Sequence, residues 1–290
     1  MMPFKRFVAI DWSGAKARRP RGIEVAEIEW DCPNPRLVPC PNGRRWSRYD
    51  VAEFIVGLAG KSVLVGVDFA FSVPWKETCG RPSQVSDAKE LWALVEKLCL
   101  EVPHMYAGPI WTSPLSPFRP YIFHHQSGHR GNCYYRKNLR DVEKLTKDAI
   151  SIYHMAGAQV GAGSFAGMRM LHGIVQSFSS KIAIWPFDEF DCAKTTVVEI
   201  YPSFFYQQAG SRRPSKDELG QGRFEQIEKT LKYYGCKQIE EMPCRSVDQA
   251  DALISAAALK AVAVEKSFKF SNNHSFDHRE GWIFGVPSGH

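Results

Sequence analysis

Three apolar stretches of this sequence each carry a carboxylate at or near their end. Asp11 ends the apolar run of VAIDWSGAK, Asp68 lies within LVGVDFAFSVP, and Glu199 lies within VVEIYPS. Each stretch is typical of a buried β-strand, and burial of a lone ionised carboxylate is costly even after the surroundings relax. A bound cation removes that cost. Three such acids in separate strands therefore predict a shared cation site.

A further acidic element lies in the segment SVDQADALISAAALKA. Asp248 and Asp251 are three residues apart, so on a helix they are neighbours on one face. The alanines that follow would let this helix approach a sheet closely. Converging carboxylates repel one another unless a divalent cation lies among them, and oxygen ligands suit Mg²⁺ or Mn²⁺. We predict four metal ligands: Asp11, Asp68, Asp248 and Asp251.

Such a site is best suited to displacement at phosphorus, with metal ions beside the attacking and leaving oxygens. The predicted catalytic residues are Asp11, Asp68, Glu199, Asp248 and Asp251. Each acid alone has a simpler explanation. Asp68 could cap a turn, Asp248 could be the N-cap of its helix, and Glu199 could pair with a buried Arg or Lys. The joint pattern favours the metal site.

The elements that would position these acids form an α/β pattern. Strands are predicted over 7–10, 22–30, 37–38, 63–71, 182–185 and 195–201, and helices over 50–58, 86–100, 139–155, 165–178, 222–234 and 247–264. The basic turn between the first two strands predicts a hairpin, and the apolar run around Asp68 is typical of a strand covered on both faces. We expect a single domain over 1–290, with a mixed central sheet that is antiparallel at its first hairpin and parallel afterwards, and helices on both faces.

Composition indicates an ordinary globular protein. Of its 290 residues 44% are hydrophobic and 23% charged, which is enough for a sizeable core. The net charge of +6 permits a polyanionic partner without requiring one. The eight cysteines include no Cys-x-x-Cys pair, so we expect mostly reduced thiols in a cytoplasmic protein. The N-terminus lacks the apolar core of a signal peptide, and no apolar run is long enough for a membrane span.

Basic residues cluster at 16–21, 44–48 and 130–140, with Trp46, Tyr49, Tyr134 and Tyr135 among or beside them, a mixture that suits phosphate contacts and base stacking. Solvated surface charge is the alternative interpretation of each stretch alone. Three of these residues are predicted substrate contacts: Lys16, Arg130 and Arg136. The last stretch closes a long segment over 103–140 that is rich in proline, histidine and aromatic residues. Because this segment is too long for an ordinary connection, we predict an insertion that protrudes beside the acids and contacts substrate.

A glycine-rich stretch, VGAGSFAG, precedes the predicted helix over 165–178. Glycines at the start of a helix can expose backbone N–H groups to a phosphate, which makes Gly161 and Gly163 candidate substrate-binding residues. The stretch lacks the Lys-Ser/Thr ending of a phosphate-binding P-loop. A tight turn with close helix packing is the alternative interpretation.

The order of these motifs resembles the ribonuclease H-like fold, and the Asp-x-x-Asp-Ala-Leu helix is closest to Holliday-junction resolvases. More specifically, AIDWSGA, GVDFAFSVP, VVEIYPS, DQADALISAAALKA and EGWIFGVP resemble the domain-of-unknown-function 429 family of predicted ribonuclease H-like nucleases, over residues 7–287. The resemblance implies a Mg²⁺- or Mn²⁺-dependent nuclease acting on DNA or RNA. It gives Asp11, Asp68 and the Asp248/Asp251 pair as metal-binding acids and Glu199 as a further strand acid. The segment over 103–140 has no counterpart in minimal ribonuclease H domains.

Two other functions stay open. Sugar kinases and actin-like ATPases share this type of fold, and in such a protein IDWSGAK and the glycine-rich stretch would hold the phosphates of ATP. A non-catalytic nucleic-acid-binding module would keep the fold alone. Stabilisation by ATP would indicate the kinase. Metal-dependent cleavage without ATP would indicate the nuclease, and the absence of both results would indicate the binding module. The Asp-x-x-Asp helix favours the nuclease.

Overall fold

A computed structural model describes residues 4–75, 81–124, 129–130, 138–155, 160–191, 193–264 and 276–287. Its strands are β1 (Arg6–Asp11), β2 (Glu24–Glu29), β3 (Arg36–Leu37), β4 (Val63–Val67), β5 (Phe123–His124), β6 (His129–Arg130), β7 (Ile182–Ile184) and β8 (Thr195–Glu199). Its helices are α1 (Arg48–Gly57), α2 (Ala88–Cys99), α3 (Pro109–Thr112), α4 (Asp141–Leu145), α5 (Val160–Phe178), α6 (Pro202–Gln208), α7 (Lys216–Gly220), α8 (Glu225–Tyr233) and α9 (Val247–Val264). Short 3-10 turns lie at Arg119–Tyr121 and His278–Glu280.

The main sheet is mixed, with the strand order β3-β2-β1-β4-β8-β7. β1 and β2 form the predicted antiparallel hairpin, in which Asp11 lies opposite Glu24. β4 pairs with β1 and with β8 in parallel, and β7 pairs with β8 in parallel. The expected α/β class and mixed sheet are therefore confirmed. β5 and β6 form a separate two-stranded ribbon.

The sheet is covered on both faces, as the alternation of side chains along β1 shows. Val8 and Ile10 enter a core shared with α1, α2 and α5, whereas Phe7 and Ala9 enter a second core shared with α6, α8 and α9. Side chains two residues apart on a strand lie on the same face. Asp11 therefore continues the face of Phe7 and Ala9, which is the face that α9 covers.

Helix α9 packs closely on β1 and β2 because its buried surface is made largely of small side chains. The buried alanines are Ala250, Ala252, Ala256, Ala257 and Ala258. The helix spans the predicted range, 247–264, and the predicted close approach of this helix to the sheet is confirmed. Its first turns consequently lie near the end of β1, where Asp11 is located.

Two helix predictions were wrong. Helix α5 begins at Val160, so Gly161 and Gly163 are helical and do not form a turn. A Cβ on Gly161 would lie 2.0 Å from the carbonyl oxygen of Ile152, and this close contact explains glycine inside a helix. The helix expected over 139–155 is only Asp141–Leu145, and Asp148 adopts a positive φ of 63° that a continuing helix does not allow.

The described part of the segment over 103–140 packs onto the core. Ala107, Ile110, Phe118 and Ile122 are buried, and the ring of Phe118 lies 5.1 Å from that of Phe165 in α5, measured between centroids. The predicted protrusion also concerns 125–128 and 131–137, which lie outside the described residues. Arg136 is among them.

Two further expectations concern thiols and membranes. The described cysteines are free thiols: Cys32, Cys40, Cys99, Cys236 and Cys244. In the part of the chain that the structure describes, no helix combines the length and apolar character needed to cross a bilayer.

Candidate metal centre

A cavity of about 530 Å³ lies at the carboxyl ends of the central parallel strands. The five predicted acids all line it: Asp11, Asp68, Glu199, Asp248 and Asp251. Three of them come from the ends of neighbouring strands, β1, β4 and β8, and two come from the start of α9. The structure therefore brings together side chains that are up to 240 residues apart in the chain, since Asp11 and Asp251 share this cavity.

Parallel pairing explains why Asp11 and Asp68 meet. Ile10 in β1 lies in register with Val67 in β4, and the backbone N–H of Asp68 donates to the carbonyl of Ile10 at 3.0 Å. The two acids thus follow equivalent positions on adjacent strands that run in the same direction. Both carboxyl groups leave the sheet at the same edge.

The carboxylates of the cavity disfavour one another's ionisation. Burial, followed by the charges of Asp251, Asp68 and Asp248, raises the pKa of Asp11 well above its usual value. Burial, followed by Asp251, raises the pKa of Asp68 to about 7. Burial also raises the pKa of Asp251 to about 6, and Asp248 adds to that rise. A cation among these groups would reverse the direction of each shift.

Asp251 gives the strongest indication of a ligand. Its side chain is 0% exposed, and the polar side chains that reach its carboxylate are those of Arg213 and Tyr206. Arg213 is its ionic partner, through a contact between Nη2 and Oδ2. Buried carboxylates normally accept several hydrogen bonds or bind a metal. The donor set of the cavity, made of carboxylate oxygens, fits Mg²⁺ or Mn²⁺.

The carboxylate oxygens of the cavity are spread over its wall. Among the described residues, one set of three potential ligand atoms lies within 4.8 Å of one another, and it consists of Glu29, Asp31 and Cys32 away from the cavity. The four predicted metal ligands share the cavity, but no three of their oxygens are drawn together to that distance. Arg213 lies among them and contacts Asp251.

Glu199 lies at the cavity wall in a buried ion pair. Arg140 donates from Nη1 and Nη2 to its two carboxylate oxygens, at 2.8 and 2.5 Å, and the N–H of Phe71 donates to Oε2 at 3.0 Å. Arg140 also donates to the carboxylate of Glu143 and to the carbonyl of Glu280. This geometry matches the alternative in which Glu199 pairs with a buried arginine.

Two charged residues near the acids were missed in the sequence. Glu24 lies opposite Asp11 in the hairpin, and burial raises its pKa, with a further contribution from Asp248. Pairing the two strands of the predicted hairpin residue by residue would have placed Glu24 opposite Asp11. Arg213 lies in the polar stretch GSRRPSK, which is typical of a surface loop. Nothing in that stretch indicates that Arg213 reaches Asp251.

The predicted substrate-binding residues are placed differently from one another. Gly163 lines the cavity, and its carbonyl accepts a hydrogen bond from Nε1 of Trp12 at 2.9 Å. Gly161 packs against Ile152. Lys16 is exposed. The side chain of Arg130 lies outside the described part of the chain.

The buried side chain of Arg48 holds the loop that follows β1. Its guanidinium donates to the carbonyls of Ser13 and Ala15 at 2.7 and 3.1 Å and to that of His104 at 2.7 Å. Burial, and next to it the charge of Arg169, lowers the pKa of Arg48 to about 10. Arg48 therefore holds the backbone of this loop against the cavity.

We expect Gly14→Ala to destabilise the protein by roughly 1–3 kcal/mol, the usual range for an overpacked core. A Cβ on Gly14 would lie 2.2 Å from the backbone carbon of Ala162 in α5, and backbone cannot move aside as a side chain can. Urea denaturation measures the loss. Gly173→Ala is the matched control. Gly173 lies in α5, the helix that Gly14 contacts, and a Cβ on Gly173 meets nothing within 4 Å. A Gly14→Ala protein as stable as wild type would contradict the close packing.

We also expect the metal-free protein to lose stability as the pH rises. The folded-state pKa values of Asp68 and Asp251, about 7 and about 6, lie above the usual 3.8, so the folded protein binds protons more tightly than the unfolded chain. The stabilisation is complete below pH 3.8 and is lost as the pH rises through 6 and 7. The charge of Asp248 adds to the rise in the pKa of Asp11 and Asp251, and the charge of Arg213 opposes that rise. The test is the melting temperature in EDTA measured across this pH range. The fall in melting temperature with pH should be shallower in Asp68→Asn than in wild type, and equal slopes in the two proteins would contradict the prediction.

No protein-family model, no curated protein and no solved structure matches this chain. The geometry and the charges of the cavity are therefore the basis on which a function can be assigned.

Proposed function

We propose that this protein is a Mg²⁺- or Mn²⁺-dependent nuclease of the ribonuclease H-like type, which hydrolyses phosphodiester bonds of nucleic acid at the cavity. The observation that carries the proposal is Asp251, whose fully buried carboxylate lies in the same cavity as Asp11, Asp68 and Asp248. A divalent cation would offset the repulsion among these acids, and their carboxylates supply oxygen ligands.

Four residues would hold the metal: Asp11, Asp68, Asp248 and Asp251. When bound, such an ion supplies an activated water and stabilises the charge that develops on phosphate oxygens. Glu199 has a different role in this proposal, because its carboxylate is bound by Arg140 and by the N–H of Phe71. It fixes the end of β8 and the wall of the cavity.

The sheet supports the ribonuclease H-like assignment. The resemblance implies a hairpin with an acid on its first strand, an acid on a later central strand, and an acidic helix. Asp11 ends the first strand of the antiparallel hairpin, Asp68 follows the adjacent parallel strand, and Asp251 lies on the helix packed against the hairpin. In this proposal the chain over 1–290 forms one domain of that type.

A basic rim beside the cavity supports nucleic acid as the substrate. The guanidinium of Arg19 donates to the carbonyl of Arg45 and to the carboxylate of Asp50, which joins the stretches 16–21 and 44–48. The exposed basic residues of these two stretches are Lys16, Arg18, Arg21, Arg44 and Arg45. Arg21 also lines the cavity. Positive charge at the rim with acids inside suits a polyanion whose phosphate reaches a metal.

The ATP-dependent alternative has less support. Gly14 packs against the backbone of Ala162 and Gly163 in α5 on one side and lines the cavity on the other. The nuclease is favoured by Asp248 and Asp251 at the start of α9, which also line the cavity and which the ATP-dependent alternative does not use. The acids that share this cavity favour the proposal over a simple binding module, which needs no such cluster.

The test is an assay on single-stranded and double-stranded DNA and RNA with Mn²⁺ or Mg²⁺, with EDTA, and with ATP. We expect cleavage that requires metal and does not require ATP. Asp11→Asn, purified in parallel, controls for contaminating nucleases and should be inactive. Cleavage that persists in EDTA, or a phosphate transfer that requires ATP, would overturn the proposal.

A further inference from the structure

Arg213 brings a positive charge into the carboxylate cluster. Its Nη2 contacts Oδ2 of Asp251, and its side chain is 45% exposed whereas that of Asp251 is 0% exposed. Its charge lowers the pKa of both Asp11 and Asp68 against the other effects that raise it. Arg213 therefore interacts with three of the four proposed metal ligands.

The backbone that carries Arg213 is held independently of this contact. Within the linker between α6 and α7, the N–H of Ser211 donates to the carbonyl of Tyr206 at 3.0 Å. The backbone N–H of Arg212 donates to Oε1 of Gln226 at 3.2 Å, and Ser215 caps α7. The guanidinium of Arg213 can consequently leave Asp251 by side-chain rotation toward solvent, without a change in the linker.

We propose that Arg213 is a tethered counter-ion that competes with the divalent metal for Asp251. The inference rests on the proposed metal site and adds to it the control of metal affinity. Asp251 is fully buried, so its ionised carboxylate needs a cation beside it. Arg213 supplies that cation before metal binds. Arg213 contacts Oδ2, so a divalent ion bound at the other oxygen would lie close to the guanidinium and be repelled by it. In this proposal the guanidinium turns away from Asp251 when metal binds.

The experiment is a calorimetric titration of Mn²⁺ into metal-free wild type, Arg213→Met and Arg212→Met. A nearby charge changes the proton affinity of a carboxylate by about 10-fold to 1,000-fold, and the same sign holds for a metal ion. We therefore expect Arg213→Met to bind Mn²⁺ at least about tenfold more tightly than wild type. Arg212→Met removes the same charge from the neighbouring position, outside the cluster, and should bind as wild type does.

A second readout is the melting temperature. Arg213→Met should melt lower than wild type in EDTA, because its buried carboxylates lose their cation, and should gain more from saturating Mn²⁺. If Arg213→Met does not fold without metal, Arg213→Gln, whose amide can still hydrogen-bond to Asp251, is titrated with the same expectation.

Equal or weaker Mn²⁺ binding by the Arg213 variant would overturn the competition while leaving the metal site in place. If none of the three proteins binds Mn²⁺, the proposed function fails and the competition fails with it. If Arg212→Met also binds Mn²⁺ more tightly than wild type, the gain in affinity comes from the change in net charge alone. That result would overturn the competition too.

Discussion

Asp68→Asn is expected to lose about 100-fold or more of the cleavage activity, the usual cost of removing a key electrostatic group, while the metal-free protein stays at least as stable as wild type. The substitution keeps the shape of the side chain and removes one ligand charge. Burial and Asp251 raise the pKa of Asp68 to about 7, so its ionised form opposes folding above that pH. Asparagine removes this opposition. The measurements are cleavage rates with Mn²⁺ and melting curves in EDTA and in Mn²⁺.

The matched control is Asp31→Asn, which removes the same charge from the exposed Glu29–Asp31–Cys32 group. It should change neither cleavage nor the gain in melting temperature from Mn²⁺. A structural Asp68 predicts the opposite behaviour: a loss of about 1–3 kcal/mol in EDTA from a broken buried interaction, with an undiminished gain from Mn²⁺. That outcome would assign Asp68 to the fold.

Arg140→Met is expected to lower the free energy of unfolding by about 3–5 kcal/mol, because removing one partner leaves buried charge without compensation. Arg140 and Glu199 are 1% and 3% exposed, and Arg140 also donates to Glu143. Two carboxylates would thus lose their cation together. Denaturation in urea, followed by fluorescence, measures the change.

Arg212→Met serves as the control for this prediction. Arg212 makes a similar two-point contact with Glu218, but its side chain is 60% exposed. Exposed pairs contribute about 0–1 kcal/mol. An Arg140→Met protein that loses no more stability than Arg212→Met would contradict the structural role given to the pair of Arg140 and Glu199.

Local patterns in the sequence predicted the framework of the site. Apolar strands that end in an acid indicated Asp11 and Asp68, and the turn between β1 and β2 indicated that β2 is a partner of β1, the strand of Asp11. Spacing of three residues placed Asp248 and Asp251 on one helical face, and both line the cavity. Each of these inferences depends on neighbours in the chain, which is the information that a single sequence contains.

The partners of the acids could not be predicted in the same way. Glu199 pairs with Arg140, which is 59 residues away, and no local pattern selects that arginine among the 37 basic residues. Arg213 lies in a linker whose composition is typical of a solvated surface. The helical state of Gly161 was also missed, because its cause is the approach of Ile152, which is a tertiary contact.

The most direct test of the metal centre is a crystal structure of the protein with Mn²⁺, with anomalous diffraction recorded for manganese. We expect an anomalous peak in the cavity in contact with Asp11 and Asp251, with Asp68 or Asp248 completing the oxygen ligands and Arg213 turned away from Asp251. An anomalous peak only at Glu29, Asp31 and Cys32, with Arg213 still paired with Asp251 at saturating Mn²⁺, would contradict the metal centre and the nuclease built on it.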